Sequence, residues 1–165
     1  MPDTTLHLTT TSIEQTIAFG QYIGQHLEAA DLILLCGGLG AGKTHLTKGI
    51  VAGLGSGDTV TSPTYVFINE YRLSAQRTVF HVDLYRAEDP HELASIGLDD
   101  ALSGHGTCII EWPERDPSLF ALPHLAIELT INTTGSRDIA MHALGSRASA
   151  LIAIIRTTWL NGTTL

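Results

Sequence analysis

Residues 37–44 read Gly-Gly-Leu-Gly-Ala-Gly-Lys-Thr and match the P-loop pattern G-x-x-x-x-G-K-[ST]. The preceding stretch, residues 32–36, is a short apolar run that predicts a buried parallel strand. Residues 43–54 place apolar side chains at helical spacing. In this context the loop amides and the helix N-terminus attract phosphate. We therefore expect Lys43 to hold the β- and γ-phosphates and the Thr44 hydroxyl to hold Mg²⁺.

The composition predicts one globular domain over residues 1–165. The chain is 44% hydrophobic and 16% charged, and no stretch is long and apolar enough to span a membrane. Residues 1–4 show no basic or apolar signal segment. The two cysteines, Cys36 and Cys108, both lie within apolar runs, which is typical of buried reduced thiols. We expect a cytoplasmic protein.

The charge balance argues against direct nucleic-acid binding. Lys and Arg number 9 against 17 Asp and Glu, for a formal net charge of −8. Binding to nucleic acid needs clustered basic residues that neutralise phosphates, and the sequence has no such cluster. The eight histidines are scattered without an H-x-x-x-H pair, so a histidine metal site is not expected. A role in a nucleic-acid pathway would thus depend on a protein partner.

Helix signals mark the two halves of the chain. Ser12 and Gln15 form a capping box that predicts a helix running to about Glu28. Asp89 followed by Pro90 predicts another helix start. Gly53, Gly55 and Gly57 are expected to break the P-loop helix. A last helix is predicted to begin with residue 146 as its N-cap.

Strand signals alternate with these helices at first and then form antiparallel pairs. The expected strands cover residues 6–9, 32–36, 60–65 (a short strand turning into a loop), 66–73, 79–84, 107–112, 125–131 and 139–144. The turn between the fourth and fifth of these is expected near residues 74–77. This order predicts an α/β protein with the three-layer fold of P-loop NTPases, in which a mainly parallel central sheet has antiparallel edge strands.

Two acidic residues at strand ends could complete a nucleotide site. Asp83 follows the apolar run 79–82, and Glu111 follows the apolar run 108–110. The carboxyl ends of parallel strands face the ligand crevice, so both carboxylates are placed to reach it. Mg²⁺ usually takes one or two carboxylates besides phosphate oxygens. The strand-end pattern does not choose between the two residues as the metal ligand.

The segment 61–65, Thr-Ser-Pro-Thr-Tyr, offers three hydroxyls around a bend fixed by proline. It has two interpretations: a switch-like loop near the γ-phosphate, or an ordinary Ser/Thr-Pro turn. The composition of the segment favours neither.

Taken together, five blocks of the chain resemble the bacterial TsaE (YjeE) family. They are Gly-x-Leu-Gly-Ala-Gly-Lys-Thr at 37–44, Thr-Ser-Pro-Thr-Tyr at 61–65, His-Val-Asp-Leu-Tyr-Arg at 81–86, Ile-Gly-Leu-Asp-Asp at 96–100 and Ile-Glu-Trp-Pro-Glu at 110–114. The resemblance runs from about residue 12 to residue 137. Members of this family are small ATPases required for making N6-threonylcarbamoyladenosine (t6A) on tRNA.

The resemblance implies roles for individual residues. Asp83 and Lys43 would be catalytic, Asp83 by positioning or deprotonating the attacking water. Thr44 and Glu111 would ligate Mg²⁺, which decides the choice of metal ligand in favour of Glu111. The residues implied to bind ATP are Thr11, Gly38, Leu39, Gly40, Ala41, Gly42, Lys43, Thr44 and position 45, which is His45 here.

Further residues resemble supporting positions of the family. Thr10 and Thr11 match a segment near the adenine, and Arg137 matches a late arginine near the nucleotide. Trp112 is expected beside the site and His81 to orient the Asp83 loop, although both also fit plain core or turn support. The family often has Asp where Gly38 stands and Thr or Ser where His45 stands; neither is a phosphate or metal ligand of the motif.

The resemblance also implies a partner. ATP-loaded protein would dock on the TsaD–TsaB heterodimer, and hydrolysis would reset that complex, with no direct binding of tRNA by this chain alone and no membrane association. A small-molecule kinase fits less well, because the sequence has no arginine-rich lid. A GTPase fits less well, because the guanine-reading motif Asn-Lys-x-Asp is absent from the sequence. A nucleotide-dependent interaction module with negligible turnover stays open.

Overall fold

A computed structural model describes residues 4–73 and 76–162 of the chain. It contains one seven-stranded sheet in the order β1-β7-β6-β2-β5-β4-β3. The strands are β1 Thr5–Thr10, β2 Leu32–Cys36, β3 Ile68–Arg72, β4 Thr78–Asp83, β5 Gly106–Glu111, β6 His124–Ile131 and β7 Arg137–Leu144.

The helices lie between and after the strands. They are α1 Ile13–Gly24, α2 Lys43–Gly53, α3 Pro90–Ser95, α4 Leu98–Ala101, α5 Ser146–Ile154, a π-helical turn Ile155–Trp159 and α6 Leu160–Gly162. Two 3₁₀ turns, Pro113–Arg115 and Pro117–Ala121, follow β5. None of the helices within the described residues combines the length and apolar content needed to cross a bilayer.

The centre of the sheet is parallel, as predicted. Strands β6, β2, β5 and β4 pair in parallel, with β2 between β6 and β5. Antiparallel pairing adds β3 at one edge, and β7 followed by β1 at the other. Every residue of β5 is buried, as expected for a strand with both faces covered. The carboxyl ends of the parallel strands therefore share one edge of the sheet.

Two apolar clusters form the core, one on each face of the sheet. Side chains of α1, α2 and α5 pack on one face, with Phe19, Leu46 and Leu151 among the buried members. The other face carries α4 and the second 3₁₀ turn, including Leu98 and Leu119. These clusters produce the predicted three layers.

Helices α1 and α2 cross at glycines, which brings their backbones into direct contact. A Cβ atom at Gly49 would lie 2.1 Å from the Ile17 carbonyl oxygen, and one at Gly20 would lie 2.4 Å from the Leu46 carbonyl oxygen. Gly53 belongs to the same crossing, because a Cβ there would lie 2.1 Å from the Gln21 carbonyl oxygen. Gly53 is thus both a packing residue and the last residue of α2, and Gly55 beyond it has φ +97°, so the predicted break of the helix at these glycines is confirmed.

The predicted helix starts agree with the structure in two of three cases. The Ser12 hydroxyl accepts the Gln15 N–H at 3.0 Å, and the Asp89 carboxylate accepts the Glu92 N–H at 2.9 Å. The last helix begins one residue early, with Gly145 as its N-cap. Gly145 has φ +98° and lets the chain reverse after β7. The prediction of residue 146 as N-cap was wrong for that reason.

Two predicted boundaries also differ from the structure. Helix α1 ends at Gly24, short of Glu28, because the Asp31 carboxylate accepts the Glu28 N–H at 2.8 Å and turns the chain. Residues 60–65 form no strand. Pro63 has no N–H to offer a neighbouring strand, and its carbonyl accepts the Phe67 N–H at 2.7 Å in a turn. In the turn predicted at 74–77, residues 74 and 75 lie outside the described residues, as does the stretch 1–3.

Candidate nucleotide-binding site

The P-loop joins β2 to α2 at the carboxyl edge of the sheet. Gly37, Gly40 and Gly42 have φ values of +143°, +75° and +109°, which are unfavourable for other residues. A Cβ at Gly37 would also lie 2.5 Å from the Leu129 carbonyl oxygen. Gly42 is the N-cap of α2, so the free N–H groups of the first helical turn open towards the loop. This geometry suits an anion such as phosphate.

Lys43 is held across the loop that precedes it. Its Nζ donates to the Gly38 carbonyl oxygen at 2.9 Å and also to the Gly37 carbonyl oxygen. The ammonium lies 4.2 Å from the centroid of the Trp112 ring, within the range of a cation–π contact. Burial lowers the pKa of Lys43, and the nearby carboxylates of Glu111, Glu114 and Asp83 oppose that shift. A charge this poorly hydrated is stabilised further by an anionic ligand.

Thr44 and Glu111 bring two oxygen donors together at the start of α2. The Thr44 hydroxyl donates to Glu111 Oε1 at 3.5 Å. Glu111 is the last residue of β5 and is 3% exposed. A hydroxyl and a carboxylate beside a phosphate site form a donor set that suits Mg²⁺, which takes its remaining oxygens from phosphate and water. No group of three His, Cys, Asp or Glu side chains within residues 4–73 and 76–162 forms a metal site by itself.

Asp83 lies beside Glu111 but contacts a different part of the molecule. The two residues are paired in register on β4 and β5. Asp83 Oδ2 accepts the Thr64 hydroxyl at 2.8 Å and the Ser62 hydroxyl at 3.3 Å, and its Oδ1 accepts the Tyr85 N–H at 2.8 Å. Asp83 is 2% exposed. The carboxylate thus connects the end of β4 to the 61–65 loop.

These groups line one open cleft of about 440 Å³. The cleft is lined by P-loop residues 39–45, by Ser62, Thr64 and Tyr65 of the loop after α2, and by strand-end residues that include Asp83 and Glu111. Of the predicted ATP-binding residues, those from Leu39 to His45 line the cleft. Gly38 does not line it, but its carbonyl oxygen accepts a hydrogen bond from Lys43, which does. The structure therefore brings the P-loop, the hydroxyl-rich loop and both acids to one place.

The cleft also contains Tyr85 and Arg86, for which the sequence predicted no individual role. The Tyr85 ring packs against Trp112, with centroids 4.9 Å apart. Arg86 Cζ lies 4.2 Å from the centre of the Tyr65 ring. Tyr85 and Arg86 follow Asp83 two and three residues later, so their position after a strand end was a signal that could have identified them. Trp112 itself has φ +58°, an unfavourable backbone conformation beside a candidate site.

Arg137 borders the P-loop, and Thr11 follows its strand-pairing partner Thr10. Thr10 and Arg137 are paired between β1 and β7. A Cβ at Gly42 would lie 3.5 Å from Arg137 Nε, so this side chain borders the P-loop. Thr11 donates its N–H and its hydroxyl to Gln15 Oε1, at 2.6 and 3.0 Å, at the start of α1. Thr11 and Arg137 do not line the cleft described above.

His81, for which the sequence leaves open a role in orienting the Asp83 loop or plain core or turn support, contacts Glu111. Its Nε2 lies 2.8 Å from Glu111 Oε1, and the side chain is fully buried. On a strand, residues 81 and 83 point to the same face, but the imidazole extends across to β5.

Cys36, the last residue of β2, also lies at the carboxyl edge of the sheet. Burial and the neighbouring Glu114 raise the pKa of its thiol to about 12.

The chain matches the family described as Threonylcarbamoyl adenosine biosynthesis protein TsaE over residues 10–139. It is 34% identical over 130 residues to the tRNA threonylcarbamoyladenosine biosynthesis protein TsaE of Treponema pallidum, covering 79% of this chain and 95% of that protein. Identity to the protein of the same name from Bacillus subtilis is 35% over 144 residues, covering 86% and 88%.

A solved structure shows the same fold. The crystal structure of Bacillus subtilis YdiB superposes with a TM-score of 0.78 at 29% sequence identity. The match covers 93% of this chain and 95% of that one. The similarity therefore includes nearly the whole sheet and the P-loop, and the fold is that of P-loop nucleotide-binding proteins.

Proposed function

Because the chain belongs to the TsaE family, we propose that it is an accessory ATPase of tRNA t6A biosynthesis, which binds Mg-ATP and hydrolyses it to reset a TsaD–TsaB complex. The observation that carries this proposal is the shared cleft, where the P-loop faces Asp83 and Glu111. A phosphate cradle, an oxygen donor set and a second carboxylate are the parts that ATP hydrolysis requires.

ATP binding is assigned to the P-loop and Lys43. The loop amides and the first turn of α2 would take the phosphate oxygens, and the Lys43 ammonium would leave its carbonyl partners for the β- and γ-phosphates. Thr44 and Glu111 would hold Mg²⁺, which offsets phosphate charge when bound. Thr11 and Arg137 would lie towards the nucleoside, as the family resemblance implies.

Asp83 is assigned to hydrolysis. Its carboxylate stands at the end of β4 beside Glu111 and within the cleft. A carboxylate there can orient a water and accept its proton. The hydroxyls of Ser62 and Thr64 fix the direction of its Oδ2 atom. In this proposal the 61–65 loop therefore positions the residue that activates water.

The partner assignment is supported by charge. A chain with a net charge of −8 is poorly suited to hold tRNA by itself, so tRNA would be handled by the TsaD–TsaB complex in the cytoplasm. ATP binding and hydrolysis in this chain would then alter how it docks. In this proposal the functional result of ATP hydrolysis is a change in the TsaD–TsaB complex.

One observation favours a second candidate, a nucleotide-dependent interaction module with negligible turnover. Both oxygens of Asp83 are already hydrogen-bonded, to two hydroxyls and one amide. In this alternative Asp83 is a structural anchor of the 61–65 loop, and bound ATP acts only by changing the conformation of that loop.

A pull-down followed by an ATPase assay separates these functions. The purified chain is mixed with a purified TsaD–TsaB complex, with ATP, with ADP or without nucleotide, and phosphate release from the complex is then measured. We expect nucleotide-dependent association and faster hydrolysis in the complex. Association without hydrolysis would favour the interaction module, and absence of association under all conditions would contradict the assignment to this pathway.

A further inference from the structure

Two buried aromatic side chains connect the 61–65 loop to Glu111. His81 on β4 is fully buried, and Tyr71 on the edge strand β3 is 4% exposed. His81 Nε2 lies 2.8 Å from Glu111 Oε1, and its Nδ1 lies 3.2 Å from the Tyr71 hydroxyl. Both ring nitrogens of His81 are therefore engaged.

The loop end of this connection is the backbone of Thr61. The Thr61 N–H donates to the Tyr71 hydroxyl at 3.3 Å. The Asn69 side-chain amide donates to the Thr61 carbonyl oxygen at 3.1 Å and to the Tyr71 hydroxyl at 3.4 Å. The loop has no strand partner at this point, so these side chains supply the hydrogen bonds that a strand would have supplied.

Tyr71 contacts the loop and His81 at the same time. Its hydroxyl accepts the Thr61 N–H and lies 3.2 Å from both the Thr61 carbonyl oxygen and His81 Nδ1. An ionised Glu111 only accepts hydrogen bonds, so His81 Nε2 donates to it. Hydrogen bonds therefore run without a break from Thr61 through Tyr71 and His81 to the Glu111 carboxylate. Each member orients the next, as outer-shell partners do around metal ligands.

The same loop contacts Asp83 one and three residues after Thr61. Thr64 and Ser62 donate directly to Asp83, whereas Thr61 reaches Glu111 only through Tyr71 and His81. The loop therefore touches both acids of the cleft by separate routes. A displacement of Thr61 changes the hydrogen bonds on which the orientation of Glu111 depends.

We propose that Tyr71 and His81 are positioning residues that couple the conformation of the 61–65 loop to the Glu111 carboxylate and so to Mg²⁺ binding. The proposal rests on the assignment of Glu111 as a magnesium ligand. Neither side chain contacts the nucleotide directly. The loop and the metal ligand act together because one buried hydrogen-bond chain joins them.

The first test measures magnesium dependence of nucleotide binding. The affinity for the non-hydrolysable ATP analogue AMP-PNP is measured by calorimetry in excess Mg²⁺ and in EDTA, and the ratio of the two is compared between variants. Tyr71→Phe removes only the hydroxyl, and we expect it to lower the ratio about tenfold while binding in EDTA is unchanged. Tyr22→Phe is the matched control, since its hydroxyl contacts Thr158 away from the cleft, and it should leave the ratio unchanged.

Two substitutions of His81 separate its two contacts. The amide nitrogen of Gln occupies a position close to Nε2, so His81→Gln should keep the bond to Glu111 but lose the bond to Tyr71, and the ratio should fall about as far as in Tyr71→Phe. The amide of Asn lies close to Nδ1, so His81→Asn should keep a contact with Tyr71 but lose the bond to Glu111, and the ratio should fall further than in His81→Gln. Equal loss in the two variants would contradict the proposal, because it would assign the effect to ring volume. If neither His81 variant folds, Tyr71→Phe decides.

The second test addresses the coupling itself. Hydrogen exchange of the backbone over residues 58–67 is measured in Tyr71→Phe and in His81→Gln, which lacks the Nδ1 contact to Tyr71. We expect faster exchange at Thr61 in both, although His81 does not touch the loop. Unchanged exchange in His81→Gln, or an unchanged magnesium ratio in Tyr71→Phe, would overturn the proposal. Failure of the proposed magnesium site is distinguishable, because Glu111→Gln would then leave the magnesium ratio unchanged.

Discussion

Asp83 and Glu111 show how two carboxylates in the same register acquire different chemistry. They end neighbouring parallel strands and are both almost fully buried. Glu111 faces the Thr44 hydroxyl and the His81 imidazole, whereas Asp83 faces the hydroxyls of a loop and a backbone amide. Neighbouring groups thus make one acid a candidate metal ligand and the other a candidate base.

The role of Asp83 predicts a separation of binding from turnover. Asp83→Asn keeps the size of the side chain but removes the charge that would accept a proton. We expect the affinity for Mg-ATP to stay within a few-fold and hydrolysis in the presence of TsaD–TsaB to fall by about 10²–10⁴-fold. Equilibrium binding and phosphate release are the measurements. Loss of Mg-ATP binding would instead assign Asp83 to the metal.

Glu111 predicts the opposite pattern. Glu111→Gln keeps an acceptor for the His81 N–H but removes the charge that Mg²⁺ prefers. We expect the affinity for ATP in excess Mg²⁺ to fall by about tenfold or more, with binding in EDTA unchanged. A titration with Mg²⁺ at fixed nucleotide checks this. An unchanged magnesium requirement would exclude Glu111 from the metal coordination shell.

At the level of elements, the crossing of α1 and α2 determines where the P-loop helix lies. A Cβ at Gly49 would lie 2.1 Å from the Ile17 carbonyl oxygen, and backbone cannot yield as a side chain can. We expect Gly49→Ala to lower the free energy of unfolding by about 1–3 kcal/mol, since overpacking forces the helices apart. Urea denaturation measures the change.

Gly57→Ala is the control for this prediction, because a Cβ at residue 57 meets no atom within 4 Å. It should be neutral or slightly stabilising. Equal destabilisation by the two substitutions would mean that the close helix crossing is not the cause.

The elements that were predicted correctly carry local signals. Strand β2 and helix α2 are specified by an apolar run, a glycine loop and helical spacing, and α3 by Asp89 and Pro90 at its start. The segment 60–65 was predicted wrongly because Val60 is buried, as in a strand, although it packs from a loop. Local patterns report burial but do not say which element provides it.

Some residues of the candidate site could be predicted from the sequence and others could not. The P-loop and the two strand-end acids could be identified from sequence, since their positions follow from the order of strands and loops. The chain from Thr61 through Tyr71 and His81 could not. It depends on the antiparallel pairing of β3 with β4, which places Asn69 opposite His81. A side-chain network that spans three strands requires the sheet order before it can be recognised.

For the molecule as a whole, buried thiols predict a decline of stability in alkali. Burial raises the pKa of Cys108 from 9.0 to about 12, so the folded state favours the protonated thiol. This stabilisation is fully present below pH 9 and is lost as pH rises towards 12, at up to about 1.4 kcal/mol per pH unit. Between pH 8 and pH 11 the melting temperature of the wild-type chain should fall more steeply than that of Cys108→Ala. Parallel pH profiles would contradict this.

The overall charge predicts the behaviour of the isolated chain towards tRNA. With 17 acidic against 9 basic residues, it should not retard tRNA in a gel shift at physiological salt and protein concentrations of about 10 μM. Adding TsaD–TsaB should produce the shift, and the same complex provides the positive control. A shift by this chain alone would require a basic surface that the composition does not provide, and would contradict the partner-dependent role.

The contact between Lys43 and Trp112 has a practical consequence. The indole lies 4.2 Å from an ammonium whose proposed partner is the nucleotide phosphate, so its fluorescence should change as that charge moves. The second of the two tryptophans, Trp159, packs against Phe19 and Tyr22, away from the cleft. The protein thus carries an intrinsic optical reporter beside its phosphate cradle, and nucleotide arrival can be followed in real time without a label.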